Sequence, residues 1–417
     1  MKKIIIKGNK ILSGTINIAG AKNSAVALIP AAILSDEFTS IYNVPNISDK
    51  NALINILKEL DCQVLEDNNI LTINSSKLKN TLIKEELSSK LRASYYFMGA
   101  LLGKCKHVEI CLPGGCNIGA RPIDYHLKGF KQLGATIKIE DNKYIIDAKV
   151  LKGANIYLDF PSVGATINLM LASCKANGKT IIYNAAKEPE IVNIATFLNN
   201  MGAKITGAGT SEITIEGVDY LHKAIVEVIP DRIEAATYIM AGALIGDNLK
   251  INGVIKEHME SLLSKLTEMG IEYNIKDFEL TISKNDKMKP VTIKSQVFPG
   301  FVTDMGQPMS VLLTQCNGVS FFEETIYDNR MGHVKYLNNM GADIKVKENT
   351  EIICGKTNLH GCKVIATDLR AGAAMVLAGL VASGTTEISQ IEHILRGYEN
   401  IIEKLNNVGA DVKLVEE

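Results

Sequence analysis

Apolar residues recur in this chain with three distinct rhythms. The stretch Thr136-Ile137-Lys138-Ile139-Glu140 alternates apolar with polar, Lys143-Tyr144-Ile145-Ile146-Asp147 answers it with Tyr144 and Ile146 two apart, and the turn dipeptide Asp141-Asn142 lies between them. A period of two broken by such a dipeptide predicts a β-hairpin, and residues 63–74 and 343–354 follow the same plan. Ahead of the hairpins lie segments of helical period. Ile191, Ile194, Phe197, Leu198 and Met201 are one example, with Gly202 placed to close the helix. The third rhythm is hardly a rhythm at all. Residues 24–34, 93–103, 165–175, 234–244, 307–315 and 371–382 are almost uncharged and rich in small side chains, which predicts helices buried nearly all round.

These elements repeat. The phrases Glu59-Leu60-Asp61, Gln132-Leu133-Gly134, Asn200-Met201-Gly202, Glu268-Met269-Gly270, Asn339-Met340-Gly341 and Asn407-Val408-Gly409 end at positions 61, 134, 202, 270, 341 and 409. The gaps of 73, 68, 68, 71 and 68 residues define six copies of one unit: strand, buried helix, strand, outer helix, hairpin. The predicted class is α/β, with two domains of three β-α-β-α-β-β units each. The sixth copy stops after one strand at 411–415, while the chain opens on an orphan strand at 3–7. Folds avoid unpaired edges, so the first ~20 residues are expected to complete the last repeat. That places one domain at 21–229 and a discontinuous second one at 1–20 plus 230–417. The cleft between two such similar domains is the expected ligand site.

Composition narrows the function. The 417 residues are 46% hydrophobic and 22% charged, which excludes a disordered chain. With 45 basic against 46 acidic residues the net charge is −1, so no overall field attracts a polyanion and nucleic-acid binding is disfavoured. Met1-Lys2-Lys3-Ile4 opens no signal-peptide core, and no apolar run reaches bilayer length, so a cytoplasmic protein is expected. The eight cysteines show no C-x-x-C or zinc spacing, and most, Cys111 included, are expected to be core thiols. The seven histidines form no metal motif, so no metal or cofactor is expected.

Any anion must therefore meet a few placed cations. The buried helices begin at Lys22-Asn23, Arg92, Ser162-Val163-Gly164, Asp231-Arg232, Asp304 and Asp368-Leu369-Arg370. Free N–H groups at a helix start suit phosphate or carboxylate, and a cation there opposes the dipole unless an anion joins it. Asp231 and Asp368 read equally well as helix caps. Arg121 and Arg396 each precede their repeat's glycine by 13 residues and Arg330 by 11, as if on the outer helices. Either they form an anion-binding set of planar forks, or they pair with surface carboxylates. His126 and His393 lie near these positions, with a structural role at least as well supported. Pro113-Gly114-Gly115-Cys116-Asn117-Ile118-Gly119-Ala120-Arg121-Pro122 is a glycine-rich loop able to act as a lid, with a thiol five residues from an arginine.

Gly20-Ala21-Lys22-Asn23, the 113–122 loop, Ser162-Val163-Gly164-Ala165-Thr166, Lys187-Glu188-Pro189-Glu190, Pro230-Asp231-Arg232-Ile233-Glu234, Thr303-Asp304, Asn329-Arg330, Ala366-Thr367-Asp368-Leu369-Arg370 and Arg396-Gly397-Tyr398 closely resemble, in order, the UDP-N-acetylglucosamine 1-carboxyvinyltransferase (MurA) family of enolpyruvyl transferases. The resemblance spans the whole chain. It implies two inside-out α/β domains and transfer of the enolpyruvyl group of phosphoenolpyruvate to the 3′-hydroxyl of UDP-N-acetylglucosamine, with phosphate released, as the first committed step of peptidoglycan synthesis. By the same resemblance Lys22, Arg121 and Arg396 hold the phosphate of phosphoenolpyruvate, Arg330 and Arg370 its carboxylate, and Asn23 the reacting centre. Cys116 protonates the methylene carbon and is the thiol that attacks epoxides of the fosfomycin type. Asp304 is the general base. Arg92 adds to the charged cleft, which opens and closes around its ligands. The nucleotide lies against Arg121, Pro122, Ile123, Asp124 and Tyr125, its diphosphate at Ser162, Val163 and Gly164, and its sugar at Ile326 and Asp304. One departure stands out: some members carry a lysine where this chain has Phe160, so that diphosphate contact is absent or supplied by another group. Two other readings are a transferase acting on shikimate 3-phosphate and a non-enzymatic sensor on the same repeats. The cysteine loop speaks against the first, the intact set of reactive residues against the second.

Overall fold

A computed structural model describes residues 2–111 and 123–416 of the chain. These form two compact units, one of residues 2–19 and 230–416, the other of 20–111 and 123–229. Each unit has its own apolar core.

The third repeat shows the plan in full. Strand Asn155–Tyr157 leads to the buried helix Val163–Ser173, then strand Lys179–Tyr183, the outer helix Pro189–Asn200, and a hairpin of Lys204–Thr206 with Glu212–Glu216. The first two strands pair in parallel and the hairpin adds two antiparallel strands. Described residues build six sheets of this four-stranded kind, three in each unit. In the unit holding residues 230–416 the helices Arg232–Ile245, Gly306–Leu313 and Leu369–Val381 pack on one another. In the other unit Tyr96–Cys105 packs on both Lys22–Ala31 and Val163–Ser173. Their middles are uncharged and rich in small side chains, and the charges they carry lie in the first or last turn, where polar partners can be reached.

The turn chemistry matches the phrase that marks each repeat. Gly134, Gly202, Gly270, Gly341 and Gly409 have φ of 94°, 100°, 76°, 98° and 100°, and Asp61 holds the equivalent place at 61°. Each ends its outer helix in the left-handed conformation that glycine adopts without a steric penalty. Asp141 and Asn142, at φ 48° and 59°, form a two-residue turn whose twist suits the flanking strands.

At the termini, Lys2–Lys7 lies antiparallel between Thr385–Ser389 and Asp411–Glu416, and buries Ile4 and Ile6 completely. The chain's first strand thus completes the last hairpin, as expected. The rest of the opening segment does something else. Thr15–Asn17 pairs in parallel with Leu249–Asn252 of the fourth repeat, and Ile225–Glu227 takes the matching place beside Thr39–Tyr42 in the first. Each unit closes on a strand borrowed from a distant part of the sequence, which covers an edge that would otherwise be open.

Two further expectations are corrected. The outer helices of the fifth and sixth repeats begin only at Val334 and Ile401, so Arg330 and Arg396 stand in the connections before them. Among the described cysteines, Cys62, Cys174 and Cys316 are buried, but Cys105, Cys111, Cys354 and Cys362 are half-buried. Cys111 ends strand His107–Cys111, where Val108 and Ile110 take the inward positions and leave Cys111 on the outer face.

A close helix contact carries a prediction. A Cβ on Gly99 would stand 2.3 Å from the Asn168 carbonyl oxygen, and the Gly99 N–H donates to Asn168 Oδ1 at 2.7 Å. Gly99→Ala gains at most about 1 kcal/mol in helix propensity. Pushing two backbones apart costs about 1–3 kcal/mol or more. The melting temperature should therefore fall; a rise would show that the two helices part freely.

Candidate active site

In the unit holding residues 230–416, functional groups gather at helix starts. Asp231 caps Arg232–Ile245, its Oδ1 accepting from Ile233 N at 2.8 Å and Glu234 N at 3.0 Å. Asp368 caps Leu369–Val381 in the same way, accepting from Arg370 N at 2.9 Å and Ala371 N at 3.1 Å. Both aspartates thus cap their helices.

Asp304 is different. It sits in the single turn Thr303–Met305 ahead of Gly306–Leu313, and its carboxylate faces two guanidiniums. Oδ1 meets Arg330 Nη2 at 2.8 Å; Oδ2 meets Arg370 Nη2 at 2.9 Å and Nε at 3.2 Å. The Asp304 side chain is 28% exposed, while both arginine side chains are 4% exposed. Burial acts to raise the Asp304 pKa, but the charges of Arg370 and Arg330 and their hydrogen bonds outweigh it and hold the carboxyl well below the usual range. Arg370 also reaches Tyr398 Oη at 3.4 Å, which bonds Thr237 at 2.8 Å. Gln307 Nε2 donates to the Arg330 carbonyl at 3.0 Å and to Asp368 Oδ2 at 3.3 Å. Two buried cations sharing one reachable carboxylate is an arrangement ready for a second anion. Ile326 lies half-buried on the turn before Arg330, and Arg396, also half-buried, follows the short helix Glu392–Leu395.

The other unit supplies a second group. Lys22 opens helix Lys22–Ala31, whose first turn contains no acidic residue, and its Nζ meets Asp49 Oδ2 at 3.1 Å. Asn23 follows it, and the Ser24 hydroxyl donates to Asn193 Oδ1 in the outer helix Pro189–Asn200. Arg92 begins the turn Arg92–Tyr95, with its guanidinium 5.6 Å from the Tyr95 ring centroid. Tyr95 stands edge-on to His126 at 5.0 Å between ring centroids, and a Cβ on Gly164 would lie 2.6 Å from the Tyr95 hydroxyl. Arg92 is thereby brought to the mouth of helix Val163–Ser173, where the Ser162 hydroxyl accepts from Ala165 N at 3.3 Å. Ile123 is buried at the start of helix Asp124–Gln132, Asp124 is exposed and Tyr125 half-buried.

His126 is a framework residue here. Its Nδ1 lies 3.0 Å from Asn168 Nδ2, and burial, then the charge of Arg92, pushes its pKa down to about 3. A neutral ring accepts the amide proton at Nδ1 and keeps its own proton on Nε2. Cys116, Arg121 and Pro122 lie outside the described residues.

Several participants escape a sequence reading. Asp49, Asn168, Thr303 and Glu324 make contacts that no spacing announces. The one signal available was polar residues within otherwise apolar runs, as at Asn168 in Val163–Ser173. Among the described residues no cluster of three or more potential metal ligands occurs, and no helix is long and apolar enough to cross a membrane.

Comparison with known proteins supplies the family. A family profile described as EPSP synthase (3-phosphoshikimate 1-carboxyvinyltransferase) matches residues 6–405. A protein of Listeria monocytogenes named UDP-N-acetylglucosamine 1-carboxyvinyltransferase 2 is 50% identical over 410 residues, covering 98% of this chain and 97% of its own. The UDP-N-acetylglucosamine 1-carboxyvinyltransferase of Halothermothrix orenii is 50% identical over 415 residues, covering 100% of each. Among solved structures, the enolpyruvyl transferase NikO from Streptomyces tendae superposes with a TM-score of 0.91 at 25% identity, over 99% of both chains. With identity of this order along its full length, the chain belongs to the enolpyruvyl transferase family, among the UDP-N-acetylglucosamine 1-carboxyvinyltransferases.

Proposed function

We infer that this chain transfers the enolpyruvyl group of phosphoenolpyruvate to the 3′-hydroxyl of UDP-N-acetylglucosamine and releases inorganic phosphate, the step that commits the sugar to peptidoglycan. The observation that carries the reading is Asp304: a carboxylate open to solvent on one side and held by two buried guanidiniums. A base beside the binding place of an anionic co-substrate needs that combination.

The chemistry is addition followed by elimination. The sugar oxygen attacks C2 of phosphoenolpyruvate as its proton passes to Asp304 and C3 gains a proton from Cys116. Loss of a proton from C3 then expels phosphate from C2 and restores the double bond. Lys22, Arg121 and Arg396 take the phosphate, Arg330 and Arg370 the carboxylate, and Asn23 the reacting centre. Arg92, Pro122, Ile123, Asp124 and Tyr125 serve the nucleotide with Arg121. The N–H groups at Ser162, Val163 and Gly164 serve the diphosphate, and Ile326 serves the sugar.

The arginine pairing gives this scheme a built-in order. While Arg330 and Arg370 hold Asp304, its carboxylate is too weak a base to take a hydroxyl proton readily. An arriving substrate carboxylate draws the guanidiniums away from Asp304, which raises the basicity of Asp304 just as the co-substrate is in place. The shikimate 3-phosphate reading has less support, since the relatives of 50% identity are named for the nucleotide sugar.

The test is phosphate release from phosphoenolpyruvate. It should require UDP-N-acetylglucosamine and fail with shikimate 3-phosphate. Equal release with phosphoenolpyruvate alone would refute the assignment.

A further inference from the structure

Glu324 is 2% exposed, and among the described residues no cation lies within ion-pairing distance of it. A buried carboxylate without a counter-ion is unfavourable, so its neutral partners must explain its presence. Its Oε1 accepts from Ser295 Oγ at 2.8 Å, Ile326 N at 2.7 Å and Tyr327 N at 3.3 Å. A glutamine oxygen would satisfy those three donors equally well. Only Oε2 needs the carboxylate, and it accepts the Thr303 hydroxyl proton at 2.5 Å. With its proton committed there, Thr303 Oγ1 turns a lone pair to Arg330 Nη1 at 2.7 Å. The same guanidinium reaches Asp304 through Nη2 and lies 5.2 Å from the ring centroid of Tyr327, on the turn that Oε1 orders.

We propose that Glu324 is a positioning residue for the transfer reaction: through Thr303 it keeps the Arg330 guanidinium in place while that group passes from Asp304 to the substrate carboxylate. The inference rests on the transferase reading above. Asp304 must release Arg330 for the reaction to proceed, and a guanidinium then left with only the Tyr327 ring beside it would swing away. The Thr303–Glu324 arm is a second anchor that the substrate does not displace. Glu324 also orders the turn carrying Ile326 and Tyr327, so one carboxylate aligns three segments of the site.

Glu324→Gln and Thr303→Val, made singly and together, test the idea. Each should lower kcat by about ten- to a hundredfold. The double variant should be little worse than the poorer single one, because both cut the same arm. Thr303→Ser, which keeps the hydroxyl, should recover most of what Thr303→Val loses. A merely structural Glu324 would lower the melting temperature and leave kcat of the folded protein unchanged. That result, or losses that multiply in the double variant, overturns the proposal. Crystal structures of Glu324→Gln and Thr303→Val with phosphoenolpyruvate bound read the geometry directly. Arg330 displaced from its place in the parent complex supports the second anchor, and Arg330 unmoved in both refutes it. Absence of nucleotide-sugar-dependent phosphate release in the parent protein would instead count against the transferase reading.

Discussion

Asp304→Asn should reduce kcat by roughly 10²- to 10⁴-fold, the usual contribution of a positioned base. The amide has nearly the shape of the carboxylate, so the loss reports charge and basicity rather than space. It also turns an N–H₂ group toward one of two guanidiniums that are almost wholly buried. Breaking a buried pair costs about 3–5 kcal/mol, lessened here because Asp304 itself is partly exposed to water. A lower melting temperature should therefore accompany the lost turnover, and activity must be scored per folded molecule.

The pH dependence follows from the same contacts. The Asp304 carboxyl ionises more readily in the folded protein than its ordinary value of 3.8, because the arginine charges outweigh burial. Its contribution to stability is complete above that ordinary value and is lost as pH falls through the depressed one. In the free protein Asp304 stays ionised across the working range, so it adds no acid limb to kcat/KM. Once substrate draws on Arg330 and Arg370 its pKa rises, and kcat should show an acid limb that kcat/KM lacks or shows only at lower pH. Asp304→Asn should abolish that limb. Turnover within tenfold of the parent, or coincident limbs, would remove Asp304 from the role of base.

Arg370→Lys should lower kcat/KM by roughly 10²- to 10³-fold, the effect of removing one oriented charge donor from an active site. The positive charge remains; the fork does not. Arg370 places Nε and Nη2 together on Asp304 Oδ2 and aims Nη1 at Tyr398, three directions that one ammonium cannot cover. The change should appear mainly as weaker use of phosphoenolpyruvate, with unfolding little altered because no charge is left unpaired. A lysine variant within threefold of the parent would mean that charge alone suffices at this position.

Much of the architecture is open to anyone who reads the residues in order. Gly134, Gly202, Gly270, Gly341 and Gly409 mark helix ends because a left-handed residue is needed there and few side chains tolerate it. Ile137, Ile139, Tyr144 and Ile146 announce strands because a pleated chain turns alternate side chains to one face. The charge-free helices announce burial because nothing else would keep them from water. Even the orphan strand at the start could be paired with the unfinished hairpin at the end. Apart from that last pairing, all of this is local chemistry, decided within a few residues of each position.

The site is not local. Asp304 and Arg330 stand 26 residues apart in the chain, Asp304 and Arg370 66 apart, and their shared contact exists only because the helices beginning at Gly306 and Leu369 pack together. Reading residues in order could mark these side chains as charged groups at helix mouths, and likeness to a family could name their tasks. It could not say that the base is silenced by the very arginines meant for the substrate, or that Glu324 steadies one of them through a hydroxyl. Period and turn propensity come from hydrogen bonds and sterics along a few bonds of backbone, whereas an ion pair across two helices depends on how whole elements dock, and no short stretch of residues carries that information.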